Sequence, residues 1–383
     1  MFWDHAFWYN KHDDRRAFWI LYCETYYYPK RGTLRRRKTH MKKRILAMLM
    51  ASVMVLGLAA CGGGSEAPAD ETANGDLPTV GVLIYKYDDT YISTVRNALD
   101  AALQGKANIV MQDGKGDQAT QNDQLDVMIE KGVDVLCVNM VDAKAASGVV
   151  EKAKAAGIPT VFFNREPDTD VIKSYDKAIF IGTNAADAGK MQGDLVKELF
   201  DANPAYDLNG DGKVQYVMFQ GEPDNPEAIA RTQYSVEQAV ANGVEMEQIG
   251  ETQVCNWDTE MAQKAMEAML AANEGKIELV LANNDGMAIG CVAALSNIGY
   301  NTGAEGANFI PVIGVDATDA AKDAIANGTM SATVLQDGEA MGNAIAAVAL
   351  NMAAGNDALA DTDYSFDDTG VAVRIPYAPY TGE

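Results

Sequence analysis

From Pro78 onward the chain alternates short apolar runs with amphipathic stretches. Thr79–Ile84, Asn108–Met111, Val133–Asn139 and Pro159–Phe163 read as strands, while Tyr91–Leu103, Asp117–Lys131 and Ala143–Ala156 repeat their apolar residues at helical spacing. The alternation resumes through strands near Ala178, Val214, Glu278, Pro311 and Ala332, with helices between them, one of them over Thr259–Ala271. Continuously apolar strands are covered on both faces, and helices between them make the sheets parallel. The predicted class is therefore α/β with doubly wound parallel sheets. The stretch from Cys61 to Glu383 is longer than one core usually serves, so two lobes are expected.

The segment before Cys61 does not share this pattern. Met41-Lys-Lys-Arg44, the apolar stretch Ile45 to Ala60 and then Leu58-Ala-Ala-Cys61 read as a signal peptide over 41–60. The ending resembles the lipobox of bacterial lipoproteins, which makes Cys61 the lipidation candidate. The alternative, a membrane span, would want about 20 apolar residues. Residues 1–40 hold all three histidines and three of the four tryptophans, and read as upstream sequence translated from a misplaced start codon, or else as a cytoplasmic extension. Residues 61–77 form a flexible Gly-, Ala- and acid-rich tether.

Removing residues 1–60 takes away 12 of 31 basic and 4 of 54 acidic residues and leaves a formal charge of −31. Such a surface repels nucleic acid and anionic membrane, and suits a neutral or cationic small ligand. No histidine remains beyond His40, which removes the commonest general base and the usual zinc sites. No phosphate-binding glycine loop is present. Cys137, Cys255 and Cys291 lie in apolar surroundings and read as buried thiols, with a Cys255–Cys291 bridge left open. Binding is favoured over catalysis.

In parallel sheets, ligands bind beyond the carboxyl ends of the strands. The polar residues there are Asp88-Asp89, Asn139, Asn164-Arg165-Glu166, Gly221-Glu222, Asn283-Asn284-Asp285, Asp316 and Gln336-Asp337. One such residue is usually a helix N-cap, but seven strand ends in succession describe a cleft. Trp257 precedes the Thr259–Ala271 helix and offers either a core filler or a flat platform for a sugar ring. Separately, Asp207-Leu-Asn-Gly-Asp-Gly-Lys-Val-Gln215 matches most of an EF-hand calcium loop. Asp207, Asn209, Asp211 and Gln215 fall at positions 1, 3, 5 and 9, Gly212 at position 6, and Lys213 offers its carbonyl at position 7. Position 12 is Met218, so further oxygens must come from elsewhere in the fold.

Five stretches in order (Ile84–Asp89, Val161–Pro167, Ser174–Ala178, Gln192–Leu195 and Ala282–Asp285) make residues 78–380 similar to the galactose/glucose-binding proteins of the type I periplasmic binding family of ABC transporters. The resemblance implies two lobes joined by three crossovers near Pro159, Gln336 and Val371. The N-terminal lobe would be 78–159 plus 337–371, the C-terminal lobe 160–336 plus 372–383. It also implies that Glu278 completes a structural calcium site with Asp207, Asn209, Asp211, Lys213 and Gln215.

For the sugar, the resemblance implies Asp89, Tyr91, Asn139, Asn225, Glu227, Arg231, Trp257, Asn284, Asp316 and Gln336. Tyr91 stands for a phenylalanine of the family, Asn225 for a histidine, Glu227 for an aspartate and Gln336 for an asparagine. The implied function is not enzymatic: a monomeric lipoprotein outside the cytoplasm captures galactose, glucose or a methyl-galactoside, closes around it and delivers it to an ABC permease. A chemoreceptor is a further candidate reader of the closed form. The competing readings are a binding protein for another sugar such as a pentose, a sugar-responsive regulator, for which a basic DNA-binding domain is lacking, and a calcium-dependent glycoside hydrolase using Asp89 or Glu227.

Overall fold

A computed structural model describes residues 77–382; the leader, Cys61 and nearly all of the tether lie outside the described residues. The first of two sheets holds β1 (Thr79–Ile84), β2 (Asn108–Asp113), β3 (Val135–Val138), β4 (Thr160–Phe163), β5 (Ala178–Gly182) and β12 (Ala372–Arg374), in the order β12-β5-β4-β3-β1-β2. All its pairings are parallel. Successive side chains of a strand point to opposite faces. Val80, Val82 and Ile84 therefore join a core with α1 (Thr90–Leu103) and α10 (Gly338–Ala353), while Leu83 joins one with α2 (Gln118–Lys131) and α3 (Ala146–Ala156).

The second sheet runs β13-β11-β10-β9-β6-β7, with β8 also paired to β6. Its strands are β6 (Lys213–Gln220), β7 (Glu245–Gln248), β8 (Gln253–Val254), β9 (Leu279–Ala282), β10 (Val312–Asp316), β11 (Ala332–Gln336) and β13 (Tyr377–Tyr380). All are parallel except the edge strand β13, which lies antiparallel to β11. Val217 and Phe219 face α7 (Thr259–Ala272) and α8 (Asp285–Asn297); Val214, Tyr216 and Met218 face α5 (Ala185–Ala202) and α6 (Pro226–Ala241).

The chain passes between the sheets at 183–184, at 336–337 and at 375–376. Two of the expected boundaries are thereby corrected. Residues after Pro159 do not enter the second lobe, because β4 pairs with β3 and β5 pairs with β4. Residues 372–374 likewise stay in the first lobe, where β12 pairs with β5. The apolar pattern announces a strand but not which sheet receives it.

The two lobes solve one packing problem in the same way. Helix α5 crosses α6 at Gly193, where a Cβ would stand 2.6 Å from Gln238 Cβ and 2.7 Å from the Ser235 carbonyl oxygen. Helix α10 crosses α1 at Gly342, where a Cβ would stand 2.6 Å from Ala98 Cβ and 2.8 Å from the Val95 carbonyl oxygen. Alanine is the better helix former, yet Gly193→Ala and Gly342→Ala should each destabilise the protein by about 1–3 kcal/mol through overpacking. Thermal melts of the two variants would check this; a raised melting temperature for either would contradict the close approach.

Candidate functional site

The carboxyl ends of both sheets face one cavity of about 40 Å³. That is far below the roughly 300–1,000 Å³ of a ligand pocket, so a ring-sized guest requires the walls to part. Nine of the ten residues expected around a sugar line it: Asp89, Tyr91, Asn225, Glu227, Arg231, Trp257, Asn284, Asp316 and Gln336. Asn139 does not. It is fully buried one layer below, where its Nδ2 donates to the Phe163 carbonyl and to Asn164 Oδ1, and Asn164 takes the place at the wall.

Several wall residues begin helices. Asp89 caps α1 by accepting from the Ile92 N–H, Asn225 caps α6 by accepting from Glu227 and Ala228, and Asn284 caps α8 by accepting from Met287. Capping leaves each residue further polar atoms for a guest, so the capping and binding roles coexist. Tyr85, just past the end of β1, donates to Asp89 Oδ2 at 2.5 Å and holds that carboxylate in place. The Arg165 guanidinium lies 3.7 Å over the Tyr85 ring and reaches across to Glu222 of the other lobe at 2.8 Å. Tyr85, Asn164 and Arg165 are wall residues absent from the expected set. The strand-end rule pointed at Asn164 and Arg165, whereas nothing local distinguished Tyr85 from a core tyrosine.

The floor is a buried charge network. Arg231 is 3 % exposed and lies 3.2 Å from Glu227 Oε2 and 3.9 Å from Asp316 Oδ1. Its Nη1 donates to the Asn283 carbonyl, its Nη2 to Gln336 Oε1 and the Tyr377 hydroxyl. Behind Asp316 lies a second buried carboxyl, Asp285, accepting from Thr333 Oγ1 at 2.6 Å and from the Thr318 N–H at 2.8 Å. Burial pushes Asp285 up to about 7, against the pull of the threonine donors and of Arg231. Burial also raises Asp316 well above the carboxylate range; Arg231 opposes this, and Asp285 and Asp89 add to it. One guanidinium cannot balance Glu227, Asp316 and Asp285 together, so both carboxyls of the pair behind it hold a proton more tightly than an exposed carboxyl does.

Backbone strain gathers at the same wall. Asn164 (φ 60°), Trp257 (φ 67°) and Asp316 (φ 126°) all have positive φ without being glycine, a conformation that persists only where surroundings enforce it. Asp285 enforces it at Asp316 by holding Thr318, the N-cap of α9 (Asp319–Ala326). The Trp257 ring lies against Gly221, where any Cβ would collide with it.

Away from the cleft, the Asp207–Gln215 loop folds on its own side chains. Asp207 accepts from the Gly210 and Gly212 N–H groups, Asn209 from Asp211, and Asp211 from the Lys213 N–H and from Gln215 Nε2. The Lys213 ammonium turns outward to Glu247. Glu278, from far downstream in the chain, reaches this loop: its carboxylate accepts from the Leu208, Asn209 and Gln215 N–H groups.

A family model described as a periplasmic binding protein domain matches residues 80–357. A D-galactose/methyl-galactoside binding periplasmic protein of Haemophilus influenzae is 39% identical over 301 residues, 78% of this chain and 88% of that one. The D-xylose-binding periplasmic protein of Escherichia coli K12 is 30% identical over 258 residues, 67% and 72% of the two chains. Among solved structures, an ABC transporter solute-binding protein of Bacillus halodurans with bound myo-inositol superposes with a TM-score of 0.65 at 25% identity, covering 80% of this chain and 94% of that one.

The raised Asp285 carboxyl has a consequence in solution. A carboxyl whose folded pKa is raised from 3.8 to about 7 contributes stability that is complete below pH ~4 and is lost as pH rises through about 7. Asp285→Asn keeps the shape without the titration. Unfolding free energies of wild type and Asp285→Asn should therefore converge at acid pH and diverge in favour of the variant between pH ~4 and pH ~7. Parallel profiles would place the proton elsewhere.

Proposed function

The chain belongs to the periplasmic binding protein family, a family of transport binding proteins and not of enzymes, and from that premise we propose that it captures a monosaccharide outside the cytoplasm and hands it to the permease of an ABC transporter. One observation carries the proposal. Arg231 Nε, Trp257 Nε1, Asp316 Oδ2 and Gln336 Nε2 are buried with no hydrogen-bond partner, and all four residues line the same cavity. Buried polar atoms are rarely left unpaired. Three N–H donors and a carboxyl oxygen, beside an indole face, suit a ring that is apolar on its faces and hydroxylated at its edge.

Galactose or glucose is the proposed guest, supported by the galactoside-binding relative of Haemophilus influenzae and by the nine wall residues. Glu227, which stands for an aspartate of the family, has its carboxylate drawn to Thr183 and Tyr377, at 2.8 and 3.0 Å. A pentose reading finds its support in the xylose-binding relative. Cys61 is proposed as the lipid anchor, and the protein as a monomer whose closed form the permease recognises.

Calcium is proposed as a structural ion of the Asp207 loop. Two observations fit it: Gln215 Oε1 is buried and unpaired, and Glu278 is a buried carboxyl, raised by burial against its backbone donors, with Asp207 adding to the rise. Among the described residues no ready-made cluster of three or more acidic, histidine or cysteine side chains is present. The ion would draw on Asp207, Asn209, Asp211, the Lys213 carbonyl, Gln215 and Glu278. It would tie two segments of one lobe and supply no chemistry to the cleft.

Trp257 is the single tryptophan after Trp19, so its fluorescence reports the cleft once the leader is gone. Titration with galactose or glucose should saturate, and a pentose should bind roughly 10–200-fold more weakly. A folded protein that gives no saturable change with any hexose would overturn the sugar reading. For the ion, chelator should lower the melting temperature of wild type and leave Glu278→Ala unaffected; equal melting curves with and without chelator would remove calcium from the proposal.

A further inference from the structure

At or beside each of the three crossovers stands a side chain bonded to one pair on α6. Glu227 and Arg231 stand one turn apart and lie 3.2 Å from each other. At the first crossover, Thr183 Oγ1 donates to Glu227 Oε1 at 2.8 Å. At the second, Gln336 Oε1 accepts from Arg231 Nη2 at 2.9 Å. Just past the third, the Tyr377 hydroxyl accepts from Arg231 Nη2 at 2.9 Å and donates to Glu227 Oε2 at 3.0 Å. The protons close this circuit: Tyr377 has one, the carboxylate is its stronger acceptor, and Thr183 Oγ1 then stands 3.0 Å from it with its own proton on the other carboxylate oxygen.

Glu227 and Arg231 line the cavity, whereas Thr183 and Tyr377 do not. Thr183, Arg231, Gln336 and Tyr377 are all buried, so their hydrogen bonds act with little screening. The first crossover is also fastened from the other lobe, where Arg374 donates to the Thr183 carbonyl and pairs with Glu166, both at 2.7 Å. A turn of one lobe against the other must alter the torsions at 183–184, 336–337 and 375–376, and each of these bends adjoins one of the partners: Thr183 lies within the first, Gln336 begins the second and Tyr377 follows the third.

We propose that Thr183 and Tyr377 are positioning residues that couple occupancy of the cleft to the hinge, acting through the Glu227–Arg231 pair. The inference rests on the sugar-binding reading. A ligand shifts a conformational equilibrium only as far as it interacts differently with the two states. The unpaired Nε of Arg231 is the atom through which a guest engages this pair. Once engaged, the pair holds the crossovers in the closed arrangement, and the hydroxyls of Tyr377 and Thr183 carry that constraint.

Tyr377→Phe removes one oxygen from a residue that does not line the cavity. It should weaken galactose or glucose binding about tenfold by calorimetry. It should also shift the sugar-free protein towards a larger radius of gyration in small-angle scattering. Thr183→Val should act in the same direction and Thr183→Ser should restore wild-type behaviour; these two carry the test if Tyr377→Phe does not fold. Affinity within about twofold of wild type, with unchanged scattering in both states, would overturn the proposal. So would weaker binding with unchanged scattering, because that reports lost local packing. If wild type binds no monosaccharide, the sugar reading fails by itself, and the sugar-free scattering comparison still decides the hinge: identical curves for wild type and Tyr377→Phe would overturn it.

Discussion

Arg231 keeps its charge at 3 % exposure, where an unpaired guanidinium would cost several kcal/mol of desolvation. Its position is possible because Glu227 precedes it by one helical turn, Asp316 faces it from the end of β10, and the Asn283 carbonyl, Gln336 and Tyr377 accept its protons. These partners come from a helix, two strand ends, a loop and the antiparallel edge strand. The second sheet must therefore be assembled in register before the charge is tolerable. Buried charges reward a single arrangement more than they add stability, and here that arrangement is the floor of the cleft.

The sequence disclosed what repeats and what is local. Continuous apolar runs announced both sheets, and polar residues at strand ends announced the wall, because a parallel strand followed by a helix places both in one layer. Asn139 showed the limit of that rule. Its strand end is right, but the left-handed Asn164 of the neighbouring strand turns into the space in front of it. Two of the three crossover positions were illegible for another reason: strand pairing is decided by partners far away in sequence, and β12 joins β5 from close to the C-terminus. Thr183 and Tyr377 were missed likewise. Their bonds to Glu227 span 44 and 150 residues, and each alone reads as an ordinary polar residue beside a strand.

Strain and unpaired atoms coincide at the wall. Trp257 and Asp316 combine positive φ with a buried polar atom that lacks a partner, while Gly221 gives up its side chain so that the indole can lie flat. Stability is sacrificed locally where it would otherwise seal the cleft, consistent with a surface arranged for a visitor rather than for itself.

The Arg165–Glu222 bridge has a bearing on release. Arg165 is nearly buried on the Tyr85 ring, but Glu222 remains about a third exposed, with 35% of its side chain accessible. An ion pair standing partly in water is worth little compared with a dry one, and dissolved salt weakens it further. As a rim contact between the lobes, beside the Lys144–Asp224 pair at 3.5 Å, it favours closure without making reopening slow. A carrier that must both hold its cargo and surrender it is served better by so loose a clasp than by an apolar seal. Dissolved salt then loosens the clasp at the rim and leaves the dry charge network at the floor little changed.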